Sequence, residues 1–234
     1  MNPSVKLVVT LLLALFHHIG VVPPNSTPQK KQLAAPGFFE KHVRKLYLIT
    51  EAPAIVCLSL HCLLILLKMN DQGESIVASL CPVPNQKNLL AISPMEVVAL
   101  AMMVMAAAVR VWSIRTLGRH FTFEVTILPN HRVISSGPYA YVRHPGYTCT
   151  NSIILGTLLV VSLNTTGYLK ACGVTETSSI LKWLDRLWDV WLVYVCKRLA
   201  ERGWVEDANL KKTLGKEWEE YRVKVPNRFI PGII

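Results

Sequence analysis

Two short clusters carry the side chains able to do chemistry in this sequence. The first is Gly137-Pro138-Tyr139-Ala140-Tyr141-Val142-Arg143-His144-Pro145-Gly146-Tyr147, and the second is Arg202-Gly203-Trp204-Val205-Glu206-Asp207. In the first, His144 precedes a proline, which biases its backbone away from the helix. Pro145 suits the opening turn of a helix. A helix N-terminus concentrates positive partial charge and unpaired N–H groups, a setting for a ligand carboxylate. The tyrosines offer flat faces and hydroxyls for a purine-sized ligand. In the second, Arg198, Arg202 and Glu206 recur every four residues and share one helix face. Such a face is either a solvated salt-bridge ladder or, near a bilayer, an inward-facing functional pair. Residue types alone leave the first cluster equally readable as an interfacial anchor of Tyr, His and Arg at headgroup level.

The elements that position these clusters are apolar. Of 234 residues, 51% are hydrophobic and 17% charged, against about 25% charged in a soluble domain. Mean hydropathy is +0.34. Five spanning segments are predicted: Leu7 to Val22, Leu46 to Leu67, Pro94 to Ile114, Tyr147 to Leu163, and an amphipathic Ile180 to Leu199. Lys6 ahead of a short apolar stretch also suits a signal peptide, but no small-residue cleavage site follows, so a retained helix is favoured.

The net charge of +10 lies in blocks between the apolar segments rather than in one patch. That distribution argues against nucleic-acid binding and reads as topology. Lys and Arg number 5, 1, 4, 1 and 9 in the stretches 23–45, 69–92, 115–146, 164–179 and 197–234. The alternation supports five spans, an outside N-terminus and a cytosolic C-terminus, with both clusters on the cytosolic side. The six cysteines form no CxxC pair and read as small apolar packing residues, with no metal site. Neither glycosylation sequon, Asn25 or Asn164, is expected to be used, the first being cytosolic and the second too close to the bilayer.

Further pieces surround the two clusters: Leu117-Gly118-x2-Phe121-Thr122, His131-x-Val133-Ile134-x2-Gly137-Pro138-Tyr139, Arg143-His144-Pro145-x-Tyr147, Arg202-x3-Glu206-Asp207, Leu214-Gly215-x2-Trp218-x2-Tyr221, Val225-Pro226 and Ile230-Pro231-Gly232. In this order they resemble the isoprenylcysteine carboxyl methyltransferase family. The resemblance covers residues 117–234; residues 1–116 match in hydropathy and in Pro23-Pro24-Asn25 alone. It divides the chain into N-terminal transmembrane helices, 1–116, and a catalytic region, 117–234. Asp207 stands where many members carry a second Glu.

The resemblance implies an all-α integral membrane protein of about five transmembrane helices, with a cytosolic cofactor pocket and a C-terminal amphipathic helix. It implies transfer of a methyl group from S-adenosylmethionine to the C-terminal carboxylate of a prenylated cysteine, in the endoplasmic reticulum membrane, the lipid entering between helices. By the same resemblance Glu124, His131, Arg132, Val133, Ile134, Tyr139, His144 and Tyr147 line the cofactor site and Glu206 closes it. Arg202 binds the substrate carboxylate, and Glu206, one turn on, holds Arg202 or the cofactor. No Gly-rich loop of a soluble dinucleotide fold is present. Other readings are a phospholipid N-methyltransferase, a sterol-reductase-like enzyme and a non-catalytic membrane scaffold. The short chain fits a reductase poorly, and a carboxylate-binding Arg202 has no purpose in an amine methyltransferase.

Overall fold

The computed structural model describes residues 2–24, 38–70, 73–83, 85–123 and 132–233, and these contain helices and no strand. Ten α-helices follow one another: α1 Pro3–Val21, α2 Phe38–Met69, α3 Glu74–Leu80, α4 Gln86–Leu90, α5 Pro94–Leu117, α6 Pro145–Leu158, α7 Tyr168–Ala171, α8 Val174–Thr177, α9 Ser179–Leu214 and α10 Lys216–Lys224. Four stretches are long and apolar enough to cross a membrane: Pro3–Val21, Phe38–Met69, Asn88–His120 and Pro145–Ala171. The first half of α9 packs beside them through buried Trp188, Leu192 and Val195, while Trp183, Leu187 and Val190 stay exposed. That split is the amphipathic pattern expected of the fifth segment, in an all-α integral membrane protein.

Local chemistry sets the helix ends. Ser93 and Glu96 form a reciprocal capping box at the start of α5, satisfying two N–H groups that helix geometry leaves unpaired. Glu96 also receives the buried Lys6 ammonium of α1 at 2.5 Å, and Lys6 donates to the Thr166 carbonyl at 3.1 Å. The ion pair ties the start of α1 to the start of α5, and the hydrogen bond ties both to the loop before α7. The spans pack through small residues, as membrane helices do: Ala99, Ala106 and Ala107 of α5 are buried. A Cβ on Gly156 of α6 would lie 2.6 Å from Met103 Cγ. The resulting core joins Leu13, Leu58, Met103, Ile153, Ile154 and Leu192 from five helices.

One reading of the sequence is corrected here. Cys81 and Cys172 are not simple packing residues; they form a disulfide. It joins the loop regions 69–92 and 164–179 and sits in a second small core of Leu64, Val77, Leu89, Tyr168 and Ala171. The spacing of 91 residues gave no local motif to signal the pair. The other four cysteines are free. Cys81→Ser is expected to lower the thermal midpoint in detergent, on the scale of about 2–4 kcal/mol for a native cross-link. A mobility shift of the unreduced protein with a thiol-reactive polymer, rising from four modified cysteines to six on reduction, checks the bond. Asn164 is buried and bonded to Ser93 and Thr166, so its sequon is sealed; Asn25 lies outside the described residues.

Both disulfide loops and the start of α1 lie at one end of the bundle. At the other end, residues from the end of α1, the start of α2, the end of α5, the start of α6 and the second half of α9 surround a cavity. Chain direction therefore alternates among α1, α2, α5, α6 and α9.

Candidate active site

The cavity has two walls of different character. Its apolar wall consists of Phe39, Val43, Leu46 and Tyr47 of α2 with Trp191, Val195 and Leu199 of α9. Its polar wall consists of Arg132, Tyr139, Arg143, His144, Tyr147, Arg202, Glu206 and Asp207, with Val133 and Ile134 beside them. Of the residues expected at the site, all but two lie on this cavity. Glu124 and His131 lie outside the described residues.

Sequence order predicts the start of α6 correctly. His144 is the N-cap and Pro145 occupies the first turn. The backbone N–H groups of Arg143 and His144 donate to the carbonyls of Asn227 and Arg228 at 3.1 and 2.9 Å, fixing this turn against the C-terminal tail. The tail can approach because α9 has Gly203 there: a Cβ at that position would lie 2.6 Å from the Phe229 ring.

Asp207 is the hub of the polar wall, a role the sequence reading did not give it. His144 Nε2 donates to its Oδ1 at 2.7 Å. Arg228 Nε and Arg143 Nη2 donate to its Oδ2 at 2.7 and 3.3 Å. Arg143 Nη1 also donates to the Val225 and Pro226 carbonyls at 2.9 and 2.8 Å. One buried carboxylate thus fastens the α6 turn, α9 and the tail. Its placement in the RHP…ED pattern was the available signal, since Asp207 follows Glu206 where two acids recur in the family pattern.

Glu206 points into the cavity with its side chain 36% exposed. Tyr147 Oη donates to its Oε2 at 2.9 Å, and His144 Nδ1 lies 3.4 Å from the same oxygen. The His144 and Tyr147 rings stack at 5.6 Å. Glu206 therefore bonds Tyr147 and His144, and Arg202, which the sequence reading offered it as an alternative to the cofactor, acts on it only through space. Arg202 Nε instead faces Glu40 Oε1 of α2 at 3.1 Å, both side chains 5% exposed, and its Nη2 donates to the Phe123 carbonyl at 2.6 Å. Its guanidinium lies 5.4 Å from the Tyr147 ring centroid. The surface ladder belongs to Arg198, which pairs with Glu201.

A third buried guanidinium lines the cavity beside those of Arg143 and Arg202. Arg110 of α5 donates through Nε to the Ile19 carbonyl at 3.2 Å and through Nη1 to Thr150 Oγ1 at 2.8 Å. Among the described residues it has no carboxylate partner, and its Nη2 makes no hydrogen bond. In the sequence Arg110 marked only the end of an uncharged run, so its direction was not legible there. An intramembrane Arg facing a cavity is a functional candidate by default.

Charge states follow from this geometry. Burial alone would lower the His144 pKa, but the bonds to Asp207 and Glu206 outweigh it and raise the value to about 9. Burial would raise the Asp207 and Glu206 carboxyls; the bond from His144 leads the opposing effects and holds both below their ordinary range. At neutral pH the cluster is an imidazolium between two carboxylates. Because folding raises the His144 pKa, its contribution to stability is complete below about pH 6.5, the unfolded value, and is lost as pH climbs through about 9. The depressed carboxyls contribute above the ordinary carboxylate range and are lost only in acid. Thermal melts in detergent are expected to fall between pH 6.5 and 9, with His144→Gln flattening that limb.

Comparison with known proteins agrees with the motifs. A family model described as "Isoprenylcysteine carboxyl methyltransferase (ICMT) family" matches residues 99–177, from α5 through α8. Two curated proteins named "Probable protein-S-isoprenylcysteine O-methyltransferase", from Oryza sativa subsp. indica and subsp. japonica, are each 27% identical over 130 residues, covering 55% of this chain and 57% of theirs. The "Uncharacterized protein YpbQ" of Bacillus subtilis (strain 168) is 24% identical over 81 residues, 35% of this chain and 46% of its own. The chain spans about half the length of the curated relatives it matches. Matched segment, motif order and cavity converge on one resemblance: the chain is similar to the isoprenylcysteine carboxyl methyltransferase family.

Proposed function

We propose that this protein is a membrane methyltransferase that esterifies the C-terminal carboxylate of a prenylated cysteine, using S-adenosylmethionine. The observation that carries the reading is the cavity itself: an apolar wall between α2 and α9, a charged wall at α6 and the C-terminal half of α9, and the buried guanidiniums of Arg110, Arg143 and Arg202 lining it. A prenyl chain suits the first, a polar zwitterionic cofactor the second, and a carboxylate the arginines.

The residues present fit such a cofactor. Glu206 offers an ionised, half-exposed carboxylate to a cationic group. A Cβ on Gly146, beside it at the start of α6, would meet nothing within 4 Å, so the backbone there is open to a ligand. Tyr139, Val133 and Ile134 supply apolar faces next to that opening. When bound, the cofactor supplies an electrophilic methyl group on a sulfonium. Glu124 and His131 complete the cofactor set in this reading.

The protein's own task is then positioning. The substrate carboxylate is ionised at neutral pH, so no general base is required. A bound S-adenosylmethionine would supply the methyl group to one carboxylate oxygen and leave as the neutral thioether, so the residues here would have no proton to move. Arg202 and Arg110 orient the carboxylate by charge-assisted hydrogen bonds, strengthened where water is excluded. Tyr147, held by Glu206, keeps the Arg202 guanidinium over its ring. Residues 117–234 supply the reacting region, and the helices of 1–116 supply its apolar wall.

Orientation follows from two supports. Arg132, Arg143 and Arg202 of the basic stretches lie at the cavity end, and the Cys81–Cys172 disulfide at the other end suits an oxidising compartment. The reading therefore sets the cavity and C-terminus in the cytosol and the disulfide in the lumen of the endoplasmic reticulum. Microsomal protein with radiolabelled S-adenosylmethionine and N-acetyl-S-farnesylcysteine is expected to give a base-labile methyl ester. Label entering ethanolamine phospholipid instead would replace this reading with an amine methyltransferase.

A further inference from the structure

Among the described residues, Glu40 is the carboxylate paired with Arg202, and the proposed chemistry does not use it. It sits in the first turn of α2, where Phe39 is pinned against α9 by an edge contact to Tyr194 at 6.1 Å and by the Arg198 guanidinium at 5.5 Å. From there Glu40 reaches Arg202 Nε at 3.1 Å. The hold is incomplete. Glu40 Oε2 is sealed from solvent and has no hydrogen-bond partner among the described residues. Asp207, by contrast, is gripped by three cationic side chains. A buried carboxylate oxygen left unpaired is costly, and a side-on pair is weaker than a bidentate fork.

Glu40 also has somewhere else to go. Arg44 lies four residues on in the same helix, the spacing at which Glu followed by a cation pairs along a helix face. The first turn of α2 itself favours an acidic side chain. A carboxylate-bearing ligand can therefore take Arg202 while Glu40 turns back along α2.

We propose that Glu40 is a displaceable counter-carboxylate: it pairs with Arg202 where the substrate carboxylate would bind and sets how strongly the cavity prefers acids. This rests on the assignment of Arg202 to the substrate carboxylate. With Glu40 in place, Arg202 is neutralised, and weakly seated membrane anions such as fatty acids are not retained. A prenylated carboxylate that also fills the apolar wall displaces it. Glu40 is thus a specificity-determining residue on the binding side, not a group that touches the transferred methyl.

The test is binding of S-farnesylthiopropanoic acid and of its carboxamide to the full-length protein in detergent, measured without turnover. Glu40→Gln is expected to raise the acid-over-amide preference at least fivefold and to make oleate a competitor at concentrations the unchanged protein ignores. Glu40→Asp keeps the charge, shortens the reach and gives a smaller rise, at least twofold, even if the Gln variant does not fold. An unchanged or reduced preference in the folded variants overturns the proposal, because a residue that merely holds Arg202 in place would weaken acid binding when removed. Wild-type protein that binds the acid but yields no methyl ester in the labelled assay strikes the proposed reaction alone and leaves the role of Glu40 to be decided by the binding ratio.

Discussion

Asp207→Ala is expected to abolish activity and to destabilise the protein by about 3–5 kcal/mol, the cost of removing one partner from a buried ion pair. Three cations converge on this carboxylate: His144, Arg143 and Arg228. Without it the imidazolium loses its strongest partner, the α6 turn loses its tie to α9, and the tail loses its tie to both. Asp207→Asn keeps the shape and removes the charge, so it should recover little. Asp207→Glu should recover more, given the acid at this place in the family pattern. Thermal melts and binding of S-adenosylhomocysteine separate the two effects. A melt unchanged by Asp207→Ala would show that the hub is not a fastening.

Arg202→Ala is expected to lower kcat/KM by about 10²- to 10⁴-fold, the loss of two charge-assisted hydrogen bonds at about 1.5–3 kcal/mol each. Binding of S-adenosylhomocysteine should change less, because the ion pair to Glu40 and the hydrogen bond to the Phe123 carbonyl, not a bond to Glu206, hold Arg202. The variant also strands Glu40 as a buried charge, so part of its effect is instability. The double variant Arg202→Ala with Glu40→Gln should regain stability without regaining turnover. Glu206→Ala should show the opposite pattern, weaker S-adenosylhomocysteine binding first and turnover loss as a consequence. Loss of cofactor affinity in the Arg202 variant equal to that in the Glu206 variant would erase the distinction between the two walls.

Four of the five expected spans were legible because hydropathy reports directly on helices long and apolar enough to cross a bilayer. Pro145 and His144 announced the start of α6 because proline constrains its neighbours. Which carboxylate meets which cation was not legible. Arg202 and Glu206 stand one turn apart on α9, and helix spacing pairs them. Tertiary packing brings Glu40 from 162 positions away in the chain instead. Asp207 was masked by its neighbour, Arg110 by its place at the end of an apolar run. The Cys81–Cys172 bond needed two loops to meet that share no sequence motif. In each case the missing information was long-range contact, which periodicity does not encode.

The central claim is that this cavity delivers a methyl group to a prenylated carboxylate. Its most direct test supplies N-acetyl-S-farnesylcysteine and ethanolamine phospholipid together to microsomes containing the protein, with one pool of methyl-labelled S-adenosylmethionine. The account predicts label recovered as base-labile methyl ester on the farnesylcysteine, absent in Arg202→Ala. Label on the phospholipid amine, or ester formation undiminished by Arg202→Ala, would contradict it.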